Sequence, residues 1–386
     1  MGPLQGVKVI ELAGIGPGPF AGTLLSDMGA DVVRVERADW VDRMQGPYGF
    51  WVDGRGRRSV GVDLKHPDGV ETVLRLVEQA DALIEGYRPG VTERLGLGPD
   101  ACFARNPRLV YGRMTGWGQE GPLALAAGHD INYISVAGAL AHFGRAGQPP
   151  TPPLNLVGDY GGGGMFLAFG IVCALFEAKS SGQGQVIDAA MVDGAAYLMG
   201  PIWGLRNMGG LSDERGTNLL DTGAPFYDAY ETADGKWVSI GSIEPQFYAE
   251  LLQRLGIEPE GLPAQNDRAG WPAMKDRLTA IFRTRTRDEW TALLEGTDVC
   301  FGPILTMTEA AEHPHIKERA TVVNYHDILQ PAPAPRFSRT EAEIQGPAVA
   351  PGHDTEAVLA SFGFSAAEVA ALVASGAVKQ KAAGAT

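Results

Sequence analysis

The chain has 386 residues, 45% of them hydrophobic, and 46 Asp+Glu against 32 Lys+Arg give a formal net charge of −14. That length and apolar content exclude a disordered chain and leave room for one large domain plus a smaller one. The acidic balance disfavours nucleic acid and anionic membrane as partners, but it is uneven: residues 1–115 carry 14 basic and 15 acidic side chains, the remainder 18 and 31. A small anionic ligand would therefore be met by the first third. Cys102, Cys173 and Cys300 are isolated and fit neither a disulfide framework nor a zinc site, which suits a reducing, cytoplasmic setting. The first residues read as neither a secretion signal nor a myristoylation site. The longest apolar run, Met165 to Phe176, is short for a membrane span and reads as a buried helix.

Val7 to Leu12 is a β-branched run, followed by the glycine-proline loop AGIGPGP, an amphipathic stretch from Phe20 to Met28 and a second run from Asp31 to Val35. This is a βαβ pattern. Asp68, three residues before Glu71, reads as a capping-box start for a helix through GVETVLRLVEQA. Strand-like ALI (Ala82 to Ile84) and RLVY (Arg108 to Tyr111) follow. Strands alternating with helices imply a mostly parallel α/β sheet whose ligands bind at the carboxyl ends of strands, after Leu12, Val35 and Ile84. A glycine run then opens onto the apolar helix from Gly161 to Ala178, and a helical stretch spans about Asp188 to Trp203. Residues 191–223 read as linker helices and a polar connection. From 224 to 325 the pattern becomes a smaller α+β domain: a hairpin turning at Ala233 to Gly235, then helices near Gln246 to Leu255 and Trp271 to Phe282. Residues 1–190 and a return segment, 326–386, complete the large domain. A helix is expected at Ala366 to Val373, and the last dozen residues read as a frayed tail.

Gly14, Gly16 and Gly18, with Glu36 closing the second strand, invite a dinucleotide reading. The spacing lacks the third fingerprint glycine, and Pro17 and Pro19 remove N–H donors that a pyrophosphate would need. A nicotinamide dehydrogenase is thus a distant competitor, and the loop serves equally well as a tight packing turn. Three residues stand in glycine-flanked or loop-like settings suited to acid-base work: His129 in GHDINY, Asp159 in LVGDYGGGG and Glu244 in SIEPQFY. Each has a structural alternative, respectively a hydrogen-bonded loop histidine, a helix N-cap and a helix-entry acid.

The segments EGYRPGVTERLGLG (Glu85 to Gly98), MTGWGQEGP (Met114 to Pro122), GHDINY, LNLVGDYGGG (Leu154 to Gly163), VIDAAMVDG (Val186 to Gly194) and IEPQFY resemble those of the family III CoA-transferase superfamily. The likeness runs from about Leu4 to Thr340 and is strongest to the branch that racemises 2-methylacyl-CoA thioesters. It implies a Rossmann-like large domain with an inserted α+β domain, an interlocked homodimer, and racemisation by 1,1-proton transfer through an enolate without cofactor or metal. His129, oriented by Glu244, would serve one face of the α-carbon and Asp159 the other. The main-chain N–H of Asp159 would face the thioester oxygen, and the site would lie at a domain junction and draw on both subunits.

The resemblance also makes Arg37, Lys65, Arg88 and Arg94 candidates for the phosphates and adenine of CoA, with Arg55, Arg57 and Arg58 a further basic cluster near the pyrophosphate. Tyr133 and Tyr227 would line the acyl pocket, as would Met and Trp residues near Met199 to Met208. The alternative within the superfamily is a CoA-transferase using Asp159 as acyl-carrying and CoA-carrying nucleophile. A more distant one is an acyl-CoA-binding protein without turnover.

Overall fold

The computed structural model describes residues 2–44, 46 and 48–382. Its contacts divide the chain into two units: Met1–Ala137 with Leu154–Leu198 and Ala320–Thr386, and Gly138–Pro153 with Met199–Arg319. Residues 138–153, read from sequence as part of the large domain, thus group with the second unit. In chain order the strands are β1 (Lys8–Leu12), β2 (Asp31–Arg37), β3 (Arg57–Val62), β4 (Ala82–Glu85), β5 (Val110–Thr115) and β6 (Val186–Ala190). The second unit supplies β7 (Tyr227–Glu231), β8 (Trp237–Gly241) and β9 (Phe301–Ile304), after which β10 (Val322–Tyr325), β11 (Ile328–Pro331) and β12 (Val378–Lys379) return to the first.

The first unit is built on a seven-stranded sheet in the order β12-β3-β2-β1-β4-β5-β6. Strands β1 to β6 pair in parallel, and β12 joins β3 antiparallel. The parallel part has the doubly wound order whose switch point falls between β1 and β4. Both faces are covered, so apolar residues on either side of these strands are buried. Ile10, Leu12, Val33, Val35, Val60 and Val62 pack on one side with Val73, Leu76 and Val77 of helix Pro67–Val77 and Val358 and Leu359 of helix Thr355–Ser361. Val9, Val32, Ala82, Ile84 and Val110 pack on the other with Ala21 and Leu25 of helix Pro17–Asp27 and Leu167, Ile171 and Ala174 of helix Met165–Ser181.

The second unit holds the antiparallel meander β7-β8-β9 under helices Pro245–Arg254, Trp271–Phe282 and Arg287–Leu294. The Phe282 ring lies between Tyr230 at 5.0 Å and Trp290 at 5.1 Å. Buried Asp228 accepts from Arg145 at 2.9 and 3.1 Å and from Lys275 at 2.8 Å, tying residues 138–153 into this unit.

Several local readings are corrected. β3 lies where a basic cluster was read, and β6 where a helix was expected; the helix begins only at Met191. Helix Pro67–Val77 is capped by His66, whose ring accepts the Asp68 N–H at 3.2 Å, so Asp68 is not its cap. The apolar helix is longer than its run of letters: a π-helical lead-in makes one element of 26 residues, Leu156–Ser181, long and apolar enough to cross a membrane. It is instead half-embedded in this fold. Leu167, Ile171, Ala174 and Ala178 are buried, whereas Phe169 and Phe176 are 69% and 76% exposed on the other side. The tail is anchored as far as Lys381: β12 pairs with β3, and Lys381 donates to the Val41 carbonyl at 2.8 Å. Residues 383–386 lie outside the described residues.

Candidate active site

Loops at the carboxyl ends of β1, β4 and β5 enclose a cleft of about 820 Å³ in the first unit. Gly14 to Pro19 follow β1, Gly86 to Pro89 follow β4, Gly116 and Trp117 follow β5, and the far wall carries His129, Asn132, Tyr133, Asn155 and Asp159. This is the switch point of the sheet, where two neighbouring loops diverge and leave a crevice. The loop after β2, also expected from sequence, is absent from the lining.

His129 is exposed at the N-cap of helix Asp130–Val136, with its main-chain N–H held by Asn132 Oδ1 at 3.0 Å. Asp159 is half-buried and is not an N-cap. It sits inside the π-helical segment Leu156–Gly164, whose N-cap is Asn155. Asn155 Nδ2 donates to Asp159 Oδ2 at 2.9 Å. Burial raises the Asp159 carboxyl above the usual range and the charge of Asp130 adds to this, while the Asn155 hydrogen bond and His129 oppose it. A carboxyl moved in that direction is a stronger proton acceptor once ionised.

The four-glycine run serves close packing. A Cβ at Gly162 would stand 2.6 Å from the Ala195 nitrogen, and one at Gly163 3.0 Å from both Pro17 Cβ and the Gly158 carbonyl oxygen. Only glycine lets the segment approach helices Met191–Leu198 and Pro17–Asp27 so closely. Across the cleft Gly16, at φ 69°, presents a bare backbone; a Cβ there would lie 3.3 Å from Asp159 Oδ2. The glycines of the β1 loop therefore shape a wall beside Asp159.

The expectation that the Asp159 N–H faces the substrate is corrected, because that N–H is donated to Asp130 Oδ1 at 2.7 Å. Neither Asp130 nor Asn155 was singled out from sequence. Asp130 adjoins His129 in GHDINY, but a contact spanning 29 residues leaves no mark on local pattern.

Tyr133 is buried on the cleft, donating to the Gly128 carbonyl and packing edge-on against Trp117 at 4.8 Å. Arg88 is exposed and lines the cleft; its loop is held by buried Glu85, which accepts the Tyr87 N–H at 2.7 Å and the Arg113 guanidinium at 2.9 Å. Arg94 and Lys65 are exposed outside the lining. Arg37 is exposed and forms a bidentate pair with Asp39, both bonds 2.9 Å.

The expected pyrophosphate cluster is overturned. Arg55, 5% exposed, is held by Asp27 at 2.6 and 3.2 Å, Gln330 at 2.7 Å and the Pro331 carbonyl at 2.7 Å. Arg57, 4% exposed, pairs with Glu11 and donates to the Pro19 carbonyl at 3.1 Å and Thr23 Oγ1 at 3.0 Å. Arg58 is engaged by Asp31 at 2.6 and 3.0 Å. Guanidiniums as enclosed and paired as those of Arg55 and Arg57 do not reach a phosphate, and Arg58, a third exposed, is held to Asp31 instead. Glu36, the ribose acid of the dinucleotide reading, is likewise buried and accepts the Ser59 hydroxyl.

Glu244 and Tyr227 belong to the second unit. Glu244 is exposed at the N-cap of helix Pro245–Arg254, and Tyr227, 37% exposed, stands on β7. Met199 lines a separate cavity of about 320 Å³ within that unit, and Met208 is exposed.

A sequence model of CoA-transferase family III matches residues 4–355. The chain is 47% identical to the alpha-methylacyl-CoA racemase of Mus musculus over 370 residues, 95% of each chain. It is 44% identical to that of Homo sapiens over the same length and shares. The crystal structure of a CAIB/BAIF family protein from Brucella suis superposes with a TM-score of 0.78 at 28% identity, over 94% of this chain and 99% of that one. With that cleft, that sheet order and these relatives, the chain belongs to CoA-transferase family III.

Proposed function

We propose that the protein racemises 2-methylacyl-CoA thioesters at the α-carbon by 1,1-proton transfer through an enolate. The observation that carries this reading is the pairing of two proton-transfer groups, His129 and Asp159, on one cleft at the switch point of the sheet, in a chain so similar to two racemases.

The α-carbon is a far weaker acid than either side chain, so proton removal needs a base in contact and stabilisation of the negative charge that develops on the thioester oxygen. Bases on opposite faces let one take the proton while the other returns one, inverting the centre without turning the intermediate. His129 serves one face and Asp159 the other, and Glu244 orients the imidazole and favours its protonated form. Because Pro17 and Pro19 carry no N–H, the first turn of helix Pro17–Asp27, which lines the cleft, offers the developing oxyanion its positive dipole end rather than a row of N–H donors. The reaction moves only a proton, so its chemistry calls for no redox or group-carrying cofactor.

Arg88 is the cation best placed for CoA, with Arg94, Lys65 and Arg37 as further phosphate or adenine contacts. Tyr133 and Tyr227 border the acyl group. The protein works as a homodimer in the cytoplasm; the uncovered Phe169 and Phe176 face of the long apolar helix, with Tyr197 75% exposed, supports burial against a second copy.

One enantiomer of a 2-methylacyl-CoA, incubated with the enzyme in deuterated water without any acceptor acid, is expected to gain α-deuterium and lose optical purity together. Retention of hydrogen and configuration, with CoA transfer only on adding an acceptor, would replace this reading by the transferase one.

A further inference from the structure

We propose that Asp130 is a positioning residue for proton transfer at Asp159: one of its oxygens clamps the Asp159 main chain, and the other stands unpartnered as a like charge beside the Asp159 carboxyl. The inference rests on the reading of Asp159 as one of the two bases.

Asp130 is 6% exposed at the first position of the helix that His129 caps. Its Oδ1 accepts the Asp159 N–H at 2.7 Å. Its Oδ2 is buried and accepts no hydrogen bond among the described residues. A buried carboxylate normally has its lone pairs filled, because an unmet one costs free energy without a structural return. A role confined to fixing the main chain is met by one neutral acceptor, such as an asparagine oxygen. The fit is also close: a Cβ at Gly158 would stand 2.4 Å from Oδ1, so the segment carries glycine where Asp130 presses on it.

The charge has a use at Asp159. A neighbouring carboxylate opposes ionisation, so the Asp159 carboxyl is a stronger proton acceptor with Asp130 present than without it. The other groups acting on Asp159 are His129, Asn155 and, through its phenol, Tyr133. Helices Pro17–Asp27 and Met191–Leu198 meet the segment with Pro17, Phe20, Met191, Gly194 and Ala195. The charged groups of neighbouring β5 and β6 are engaged elsewhere: Arg113 by Glu85 and Glu93, Asp188 by the Gln119 N–H. Asp130 is therefore the anion set against Asp159, and it adjoins His129 in sequence, so one helix start supplies one base and tunes the other.

The test is α-deuterium incorporation by the full-length enzyme from each pure enantiomer across pH, with Asp130→Asn, Asp130→Ser, Asp130→Ala and, as control, Asp159→Asn. Asp130→Asn keeps an acceptor for the Asp159 N–H and removes the charge. Its exchange from the enantiomer served by Asp159 should keep a rate limb on the acid side that moves to lower pH, while the limb for the other enantiomer keeps its place. Asp130→Ser, which also retains an oxygen, should move the same limb the same way, and it decides the matter should the asparagine variant fail to fold. Asp130→Ala loses the clamp as well, and should lose roughly 10- to 100-fold in kcat with a much smaller change in KM, as misplaced catalytic groups do. Unmoved limbs in folded Asp130→Asn or Asp130→Ser, with Asp159→Asn inactive, would overturn the inference and leave the role of Asp159 standing. Wild-type exchange in Asp159→Asn would overturn both.

Discussion

Arg57 and Arg88 are both arginines of the near-neutral first third, and they have opposite fates. Arg57 opens β3 on the side covered by helix Pro17–Asp27, so Glu11, Pro19 and Thr23 consume its donors and it is 4% exposed. Arg88 follows β4 at the carboxyl end of the sheet, faces the cleft and forms no ion pair among the described residues. The difference lies in which end of a parallel strand each occupies. Side chains along a doubly wound sheet are roofed by helices, whereas those in loops past its carboxyl edge open onto the crevice. A count of basic residues therefore overstates what an anion meets: Arg55, Arg57 and Arg58 hold the large unit together, and the cations left for a ligand are few.

The largest expected effect tests the buried side of that contrast. Arg57→Gln removes the close partner of Glu11, buried beneath helix Pro17–Asp27, and leaves it only the Arg34 guanidinium at 3.8 Å; breaking a buried pair in this way typically costs up to about 3–5 kcal/mol. Urea unfolding should show a lower midpoint, and adding Glu11→Gln should recover part of the loss by removing the orphaned charge. A stable Arg57→Gln enzyme with an elevated KM would instead return Arg57 to the binding surface. Next comes the open side. Arg88→Gln should leave the unfolding midpoint unchanged and raise KM for the acyl-CoA roughly 10-fold or more, the worth of about 1.5–3 kcal/mol for a hydrogen bond to a charged group. Unchanged KM in steady-state assays would remove Arg88 from the CoA contacts.

The same contrast explains how much was legible beforehand. β1, β2 and the helix between them were readable because their apolar residues carry the period themselves, and helix Trp271–Phe282 begins and ends where its pattern does. β3 was not, because Arg57 and Arg58 open it, leaving only SVGV to carry a strand pattern, and their partners, Glu11 and Asp31, lie on other strands. β6 was not, because VIDAA runs without a turn signal into the helix at Met191 and is a strand only by pairing with β5. His129 and Asp159 stood out by their glycine neighbours and by family resemblance. Asp130 and Asn155, which hold Asp159, did not, since a carboxylate receiving a distant main-chain N–H looks like any helix-opening acid.

The smallest effect belongs to an arginine neither roofed nor at the cleft. Arg75 lies over the Phe364 ring at 3.5 Å and donates to Glu368 Oε1 at 3.0 Å. Glu368 also accepts the N–H and hydroxyl of Ser365, closing a capping box on helix Ala366–Ser375. The Ser365 hydrogen bonds and then Arg75 hold the Glu368 carboxyl down to about 2, from 4.5. A carboxyl depressed on folding adds stability that is present above its unfolded value and is lost as pH falls through the folded one. Melting temperature should therefore carry a contribution from Glu368 that fades between about pH 4.5 and 2. Arg75→Gln should lower the melting temperature at pH 7 by only about 1 °C, as for an exposed ion pair, and make that acid decline shallower. Ser365→Ala removes the hydroxyl bond but keeps the main-chain N–H of residue 365, the largest support of the ionised Glu368, so it too should make the decline shallower without abolishing it. Disappearance of the whole acid decline in Ser365→Ala would move the main support of that carboxylate from the main-chain N–H to the hydroxyl.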